Sequence, residues 1–504
     1  MTMGKKEKKT NIEPFTAYRQ SLDARAQAML DGFFRDVDGH ILLPRGEKSE
    51  LRRDFENGLL YYAQTGVPLE KALARLGAEH LGGFYARPPL LWYPLDDSAK
   101  IYPMAMEHGQ MAVFRLSVYF RRDVVPELLQ MALNFTMKRF PGFATTLKVG
   151  FFWHYLDASK RRYAVEPEAG VPCRALPVER SGAPTFRVTY YGRRMSVEFF
   201  HILTDGNGAL VFLKALTAEY LRLMGVEQAP DPDIWDLEDT PKKSEVANEF
   251  RRGGEREGIS GFVDKPAVQM SGKLTRIKPC RVLHFKLDAA RLRDAARAKN
   301  ATVTAYLLAL QLLACKSATD EARGDISIRV PVNLRKFYPS DTVRNFSLFA
   351  SVRFPIDRIT TVEALLPEIR EQLQQKASRE SMEEMIDSTA RLVDLIRYIP
   401  LRVKAPVTKR IYGFLGDGIF SNTLSNLGVV RLPQEMEAQI DCMDFILGPS
   451  AVNRASCGLV TFGNTAMLSI TKTTMDPSFE EKLCSLLRRD GLAPEVEGSE
   501  QYGG

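Results

Sequence analysis

The chain has 504 residues, 45% apolar and 26% charged, an ordinary soluble composition with length enough for two cores. Its net charge of +7 comes from 69 basic residues interleaved with 62 acidic ones, and much of the excess sits in the lysines of residues 5–9, so the charge gives no ground for a nucleic-acid partner. Six scattered cysteines form no C-x-x-C pair, which excludes a zinc or dithiol motif; with no signal-peptide pattern and no apolar run near the roughly 20 residues of a membrane span, the expectation is reducing cytoplasm and no transmembrane segment.

Residues 1–12 read as a polar, disordered tail, and 17–82 as helical, with Leu51, Phe55, Leu59 and Tyr62 on one face, so 1–85 is expected to be a tail and helical extension. A Pro- and aromatic-rich stretch near Pro88 opens the next unit. Alternation predicts a strand over 111–120, an amphipathic helix over 124–140, an aromatic strand over 151–155, and strands over 185–191 and 195–202. A helix follows with Leu210, Leu213, Leu216, Tyr220 and Leu223 at core spacing, stopped by Gly225; this unit is placed at 86–227.

Residues 228–275, broken by prolines and glycines, read as a crossover linker, and 276–504 as a second unit. Its first strand covers 281–287. Asp288 caps a helix that Asn300 stops, and Thr304 caps a second one. Ile326, Ile328, Val330, Val332 and Leu334 alternate as a strand whose polar face carries Asn333 and Arg335. A strand over 346–354, one long helical pattern over 362–397, strands over 422–427 and 441–447, a hairpin turning at Gly463-Asn464 and a closing helix over 476–489 complete the order. Strand followed by helix near 281 echoes the same order near 111, which suggests related halves.

The chemical signal lies in Met195-Ser-Val-Glu-Phe-Phe-His-Ile-Leu-Thr-Asp-Gly-Asn-Gly208. Met195, Val197 and Phe199 alternate as an inward strand face, and His201 is next on it. Burial lowers an imidazole's pKa and keeps it neutral, as a general base requires, and a carboxylate such as Asp205 fixes the local geometry. The bland alternatives are a packed core histidine and an Asp205 that only caps the following helix.

His201-Ile-Leu-Thr-Asp205-Gly206 resembles the H-x-x-x-D-G motif of the chloramphenicol acetyltransferase-like superfamily. Further stretches resemble its bacterial alcohol acetyltransferase branch, in the same order: Pro94-Leu-Asp-Asp-Ser-Ala-Lys-Ile-Tyr-Pro103, Phe140-Pro141, Gly150-Phe-Phe-Trp153, Val332-Asn-Leu-Arg335 and Ser425-Asn-Leu-Gly428. The resemblance covers residues 90–490 and implies an α/β fold of two similar subdomains, each a mixed sheet flanked by helices, with the histidine between them and a helical extension outside the pattern.

It also implies an O-acyltransferase that moves an acetyl or longer acyl group from coenzyme A, bound only as an acyl co-substrate, to a small-molecule alcohol. His201 would be the base of a direct transfer and Asp205 a largely structural partner of an arginine, with Arg335 the candidate. Gly206, Asn345, Ser425 and Asn426 are the remaining structural or oxyanion candidates; no metal is implied. A carrier-protein thioester or amine acceptor is the alternative reaction, and a non-catalytic binding protein of this fold the alternative class. Phe200 stands where condensation domains have the first of two histidines, and the D-F-G-W-G motif of the plant branch is missing, which favours the alcohol branch. Gly206-Asn-Gly208 fails as a dinucleotide fingerprint because Val211 holds the third glycine position; His40, His80 and His284 lie in unrelated patterns, and His108 and His154 sit in the first unit but are not expected to line the site.

Overall fold

The computed structural model describes residues 13–86, 92–103, 106, 111–158, 161–178, 180, 182–251, 264–406 and 417–499. The expected tail, the glycines between 253 and 261, and His108 lie outside these.

The extension consists of α1 (Pro14–Ser21), α2 (Ala24–His40), α3 (Arg45–Gln64) and α4 (Leu69–Arg75). The α3 stripe of Leu51, Phe55, Leu59 and Tyr62 is buried in one continuous core with the first subdomain, and the Tyr62 hydroxyl donates to the Leu223 carbonyl at 2.6 Å, so the extension is a packed layer of that subdomain.

In the first subdomain, β1 (Trp92–Pro94), β3 (Thr145–Val149) and β4 (His154–Ala158) form a small sheet. β2 (Val113–Phe120), β5 (Val165–Pro167), β6 (Phe186–Tyr191) and β7 (Arg194–Phe200) form a larger one, covered by α5 (Pro126–Thr136) and α6 (Gly206–Leu223). The predicted aromatic strand over 151–155 is misplaced. Pairing runs from Val149 opposite His154 outward, so 150–153 are the hairpin's tip and Phe151 is 72% exposed.

The second subdomain contributes β8 (Arg281–Asp288), α7 (Ala289–Ala298), α8 (Val303–Ser317), β9 (Asp325–Asn333), β10 (Ser347–Pro355), α9 (Val362–Lys376), α10 (Arg379–Leu395), β11 (Asn422–Val430), β12 (Ile440–Leu447), β13 (Ala455–Phe462), β14 (Thr465–Lys472), α11 (Ser478–Arg489) and β15 (Glu495–Gly498). Its seven-stranded mixed sheet has the order β10-β9-β11-β13-β14-β8-β15, with α8 buried against it. Thr302, rather than Thr304, caps α8, accepting from the Ala305 amide. The long helical pattern splits in two because Ser378 caps a new start at α10, accepting from the Ser381 amide.

β12 does not join that sheet. It pairs antiparallel with β2, so the first subdomain's sheet reads β12-β2-β7-β6-β5 and takes its edge strand from the second half of the chain. Each of the two larger sheets is mixed, with parallel pairs at β5/β6 in one and at β9/β11 and β11/β13 in the other.

Candidate active site

β7 ends at Phe200, two residues short of the predicted strand, and residues 201–203 turn the chain toward α6. Met195, Val197, Phe199 and Phe200 are all buried, which anchors the turn from below. The His201 amide donates to the Ala112 carbonyl at 2.8 Å, and its half-buried ring lies between Tyr102, stacked at 4.9 Å, and Phe114, edge-on at 5.1 Å. Burial pushes the imidazole pKa below its ordinary value, opposed by the charge of Asp205.

Nδ1 of His201 is 2.8 Å from Oδ1 of Asn345. The amide orientation of Asn345 is fixed independently: its Nδ2 donates to the His201 carbonyl at 2.8 Å and to Oδ2 of Asp96 at 3.1 Å. A carbonyl accepts only, so the nitrogen must face it and the oxygen must face the ring. An amide oxygen also accepts only, so Nδ1 carries the proton and Nε2 of the neutral ring keeps its lone pair. Asp96 is itself held by the Ser98 hydroxyl and the Ala99 amide, with Arg344 at 3.7 Å.

Asp205 is 2% exposed and accepts four hydrogen bonds. Oδ1 caps α6 through the amides of Asn207 (3.1 Å) and Gly208 (3.0 Å); Oδ2 takes Nη1 of Arg335 and the Phe346 amide, each at 2.8 Å. Arg335 sits in a 3-10 turn past β9, because the Asn333 side chain accepts its amide and ends the strand there. All five of its side-chain hydrogens are used: toward Asp205, Asn333, the Thr342 carbonyl twice, and the Arg344 carbonyl. The clamp therefore holds loop 342–345, and with it Asn345, against the His201 turn.

Glycine is required at 208, where the two halves meet. A Cβ on Gly208 would stand 2.1 Å from the Val343 carbonyl, and one on Gly206 2.7 Å from Leu427. Gly208 thus serves close backbone approach, with no dinucleotide role.

Ser425 and Asn426 part company on β11. Leu424 faces the second subdomain's core, and Asn426 spends its side chain on the Thr304 hydroxyl and the Gly428 amide. Alternation turns Ser425 and Leu427 to the other face, where Leu427 meets Gly206. No hydrogen bond engages the Ser425 hydroxyl among the described residues. Asn345 has both amide hydrogens spent and so offers an oxyanion no donor, and Asn426 lies on the opposite face of β11 from Ser425 and Leu427; Ser425 keeps a donor available.

The remaining described histidines lie elsewhere. His40 caps the end of α2, His80 packs on Phe135, and His284 bonds Ser469. His154, in the β3/β4 pair next to the hairpin tip, has its pKa lowered to about 4 by burial and by Lys404. Sequence reasoning missed Asp96 and Tyr102, although both lie in the quoted 94–103 segment, where a pair of adjacent acids in apolar company was the available signal. Among the described residues, no group of three or more His, Cys, Asp or Glu side chains could hold a metal.

Among solved structures, the chain is similar to TRI101 from F. graminearum complexed with coenzyme A and deoxynivalenol (10% identity, TM-score 0.55, covering 79% of this chain and 97% of that one). It is likewise similar to the trichothecene 15-O-acetyltransferase from Fusarium sporotrichioides (11%, 0.54, 79% and 94%) and to polyketide synthase associated protein 5 from Mycobacterium tuberculosis (15%, 0.53, 78% and 97%). The chain has the chloramphenicol acetyltransferase-like fold. A condensation domain of the calcium-dependent antibiotic synthetase shares it at 13% identity and a TM-score of 0.52. No protein-family model and no curated protein sequence matches the chain. At these identities the likeness concerns the fold alone, in which His201 lies where the second subdomain's loop 342–346 closes on the first.

Proposed function

We propose that the chain is an O-acyltransferase that carries an acetyl or longer acyl group from a coenzyme A thioester to an alcohol, with His201 as general base. The observation that carries this reading is the bond from Nδ1 to Asn345, which leaves Nε2 of a neutral imidazole as the proton acceptor. Nε2 takes the hydroxyl proton as the alcohol oxygen attacks the thioester carbonyl. The C–O bond forms, the carbonyl becomes an oxyanion, and the Ser425 hydroxyl is the donor suited to it. Collapse breaks the C–S bond, and the imidazolium returns its proton to the leaving thiolate, so base and thiol are regenerated with no acyl-enzyme. Asp205 and Arg335 hold the loop and touch no reacting atom. Structural neighbours bearing coenzyme A support the choice of donor.

The test is release of free thiol from acetyl- and longer acyl-coenzyme A against a panel of alcohols. Wild-type protein should release thiol only with an acceptor present, and His201→Ala should lose about 100 to 10,000-fold in rate with unchanged thermal unfolding. A folded His201→Ala variant of near wild-type rate would remove the general-base assignment; no turnover with any alcohol, but turnover with amines or a carrier-bound thioester, would replace the substrates and keep the base.

A further inference from the structure

The β3/β4 tip and the chain after α10 make one surface that the proposed chemistry does not use. The Leu401 amide donates to the Phe151 carbonyl at 2.9 Å, and the rings of Phe152 and Tyr398 meet edge-on at 6.2 Å. On this joined surface Val149, Phe151, Leu395, Tyr398 and Val403 are each at least 61% exposed, and Phe152 links the rings of Phe151 and Tyr398; nearly half of the exposed large apolar side chains among the described residues belong to these two segments. Isolated apolar residues on a surface need no explanation, whereas a contiguous group does.

The base of the surface is firm. The Trp153 ring lies beneath the Lys404 ammonium at 3.1 Å, with Lys100 5.2 Å away on the same ring. Lys100 in turn bonds Asp97 at 2.6 Å, next to Asp96 of the His201 relay, so this face borders the segment that carries Tyr102.

Charge decides what kind of occupant fits. Residues 148–153 and 395–403 contain Lys148, Arg397 and Arg402 and no acid. The adjoining Asp394 is neutralised by Arg251 at 2.7 Å and Arg397 at 3.8 Å. The apolar side chains stand on a hairpin tip, at the end of α10 and on the chain after it. Protruding aromatic and aliphatic groups with a cationic rim match the boundary of an anionic bilayer, where rings enter the headgroup layer and Lys and Arg meet phosphates.

We propose that this face docks the protein peripherally on an anionic lipid membrane. Docking would set the 94–103 segment of the site against the lipid phase.

The experiment is co-sedimentation of the full chain with vesicles of phosphatidylcholine alone and of phosphatidylcholine with about 30% phosphatidylglycerol, whose surface is anionic. Wild-type protein should bind the anionic vesicles, lose binding at high salt, and bind neutral ones weakly. Phe151→Ser combined with Tyr398→Ser should weaken binding at least about tenfold, and Arg397→Gln and Arg402→Gln about fivefold each, with acyl transfer between water-soluble substrates unchanged. Absence of wild-type binding to anionic vesicles would overturn the proposal. So would equal binding by the folded Phe151→Ser/Tyr398→Ser variant, or a dimer in light scattering that this variant dissociates, since the face would then be covered by a second copy.

Discussion

Replacing Asn345 by Leu tests the site at its least obvious point. Leucine keeps asparagine's branched shape and heavy-atom count, though its methyl groups are bulkier, but offers Nδ1 of His201 no acceptor and leaves the His201 carbonyl and Asp96 without their shared donor. A typical hydrogen bond contributes about 0.5 to 1.5 kcal/mol net, and each buried acceptor left unpaired costs about 1 to 3 kcal/mol. Asn345 is 1% exposed, so water does not compensate, and a loss of roughly 2 to 4 kcal/mol of stability follows. The catalytic effect is separate. With Nδ1 unheld the ring can place its proton on Nε2, where it blocks the base, and a bias of about 1.4 to 2.7 kcal/mol lost from the reactive form lowers kcat about 10 to 100-fold. The assay is thiol release at saturating donor together with 15N shifts of the His201 ring, which distinguish the two tautomers. If kcat stays within twofold of wild type and the proton remains on Nδ1, the relay from Asp96 through Asn345 does not set the tautomer.

Asp205→Ala should cost about 3 to 5 kcal/mol in urea unfolding, since it strands the partly buried Arg335 and uncaps α6. Gly208→Ala should destabilise by about 1 to 3 kcal/mol, because its methyl group meets the Val343 carbonyl and the Thr204 hydroxyl, and thermal unfolding checks it. The acid limb of kcat/KM should lie below pH 6.5, because burial depresses the His201 pKa and the ring stays neutral to lower pH; His201 titrating above 6.5 in NMR would contradict this. His154 is neutral in the fold down to about pH 4 but takes a proton near 6.5 when unfolded. The unfolded chain therefore binds more protons between these values, stability falls as pH drops through that window, and His154→Gln should flatten the fall measured by urea titration.

The strands and helices around the site were legible because their burial is one-sided: Met195, Val197 and Phe199 announce β7, and the leucines of 210–223 announce α6. Arg335 was legible as a partner of Asp205 only through the resemblance, and the strand assigned to it ends two residues early, since Asn333 can cap a turn as readily as extend a strand. Asn345 was named among the structural or oxyanion candidates, without its bond to the histidine. Its role depends on which atoms its amide nitrogen meets, and those belong to residues 144 and 249 positions away. The aromatic run at 151–153 has strand composition whether it is buried or at a tip, and pairing register alone separates the two.

The strand exchange has a consequence for biosynthesis. Tyr119 on β2 bonds Asp444 on β12 across 325 residues, so the open edge of the first sheet is closed only after most of the chain has been synthesised. Until then β2 presents unpaired backbone groups, the kind of edge that recruits neighbouring chains. Expressed alone, residues 13–251 should therefore aggregate, and a peptide spanning 438–448 supplied during refolding should restore them to solution.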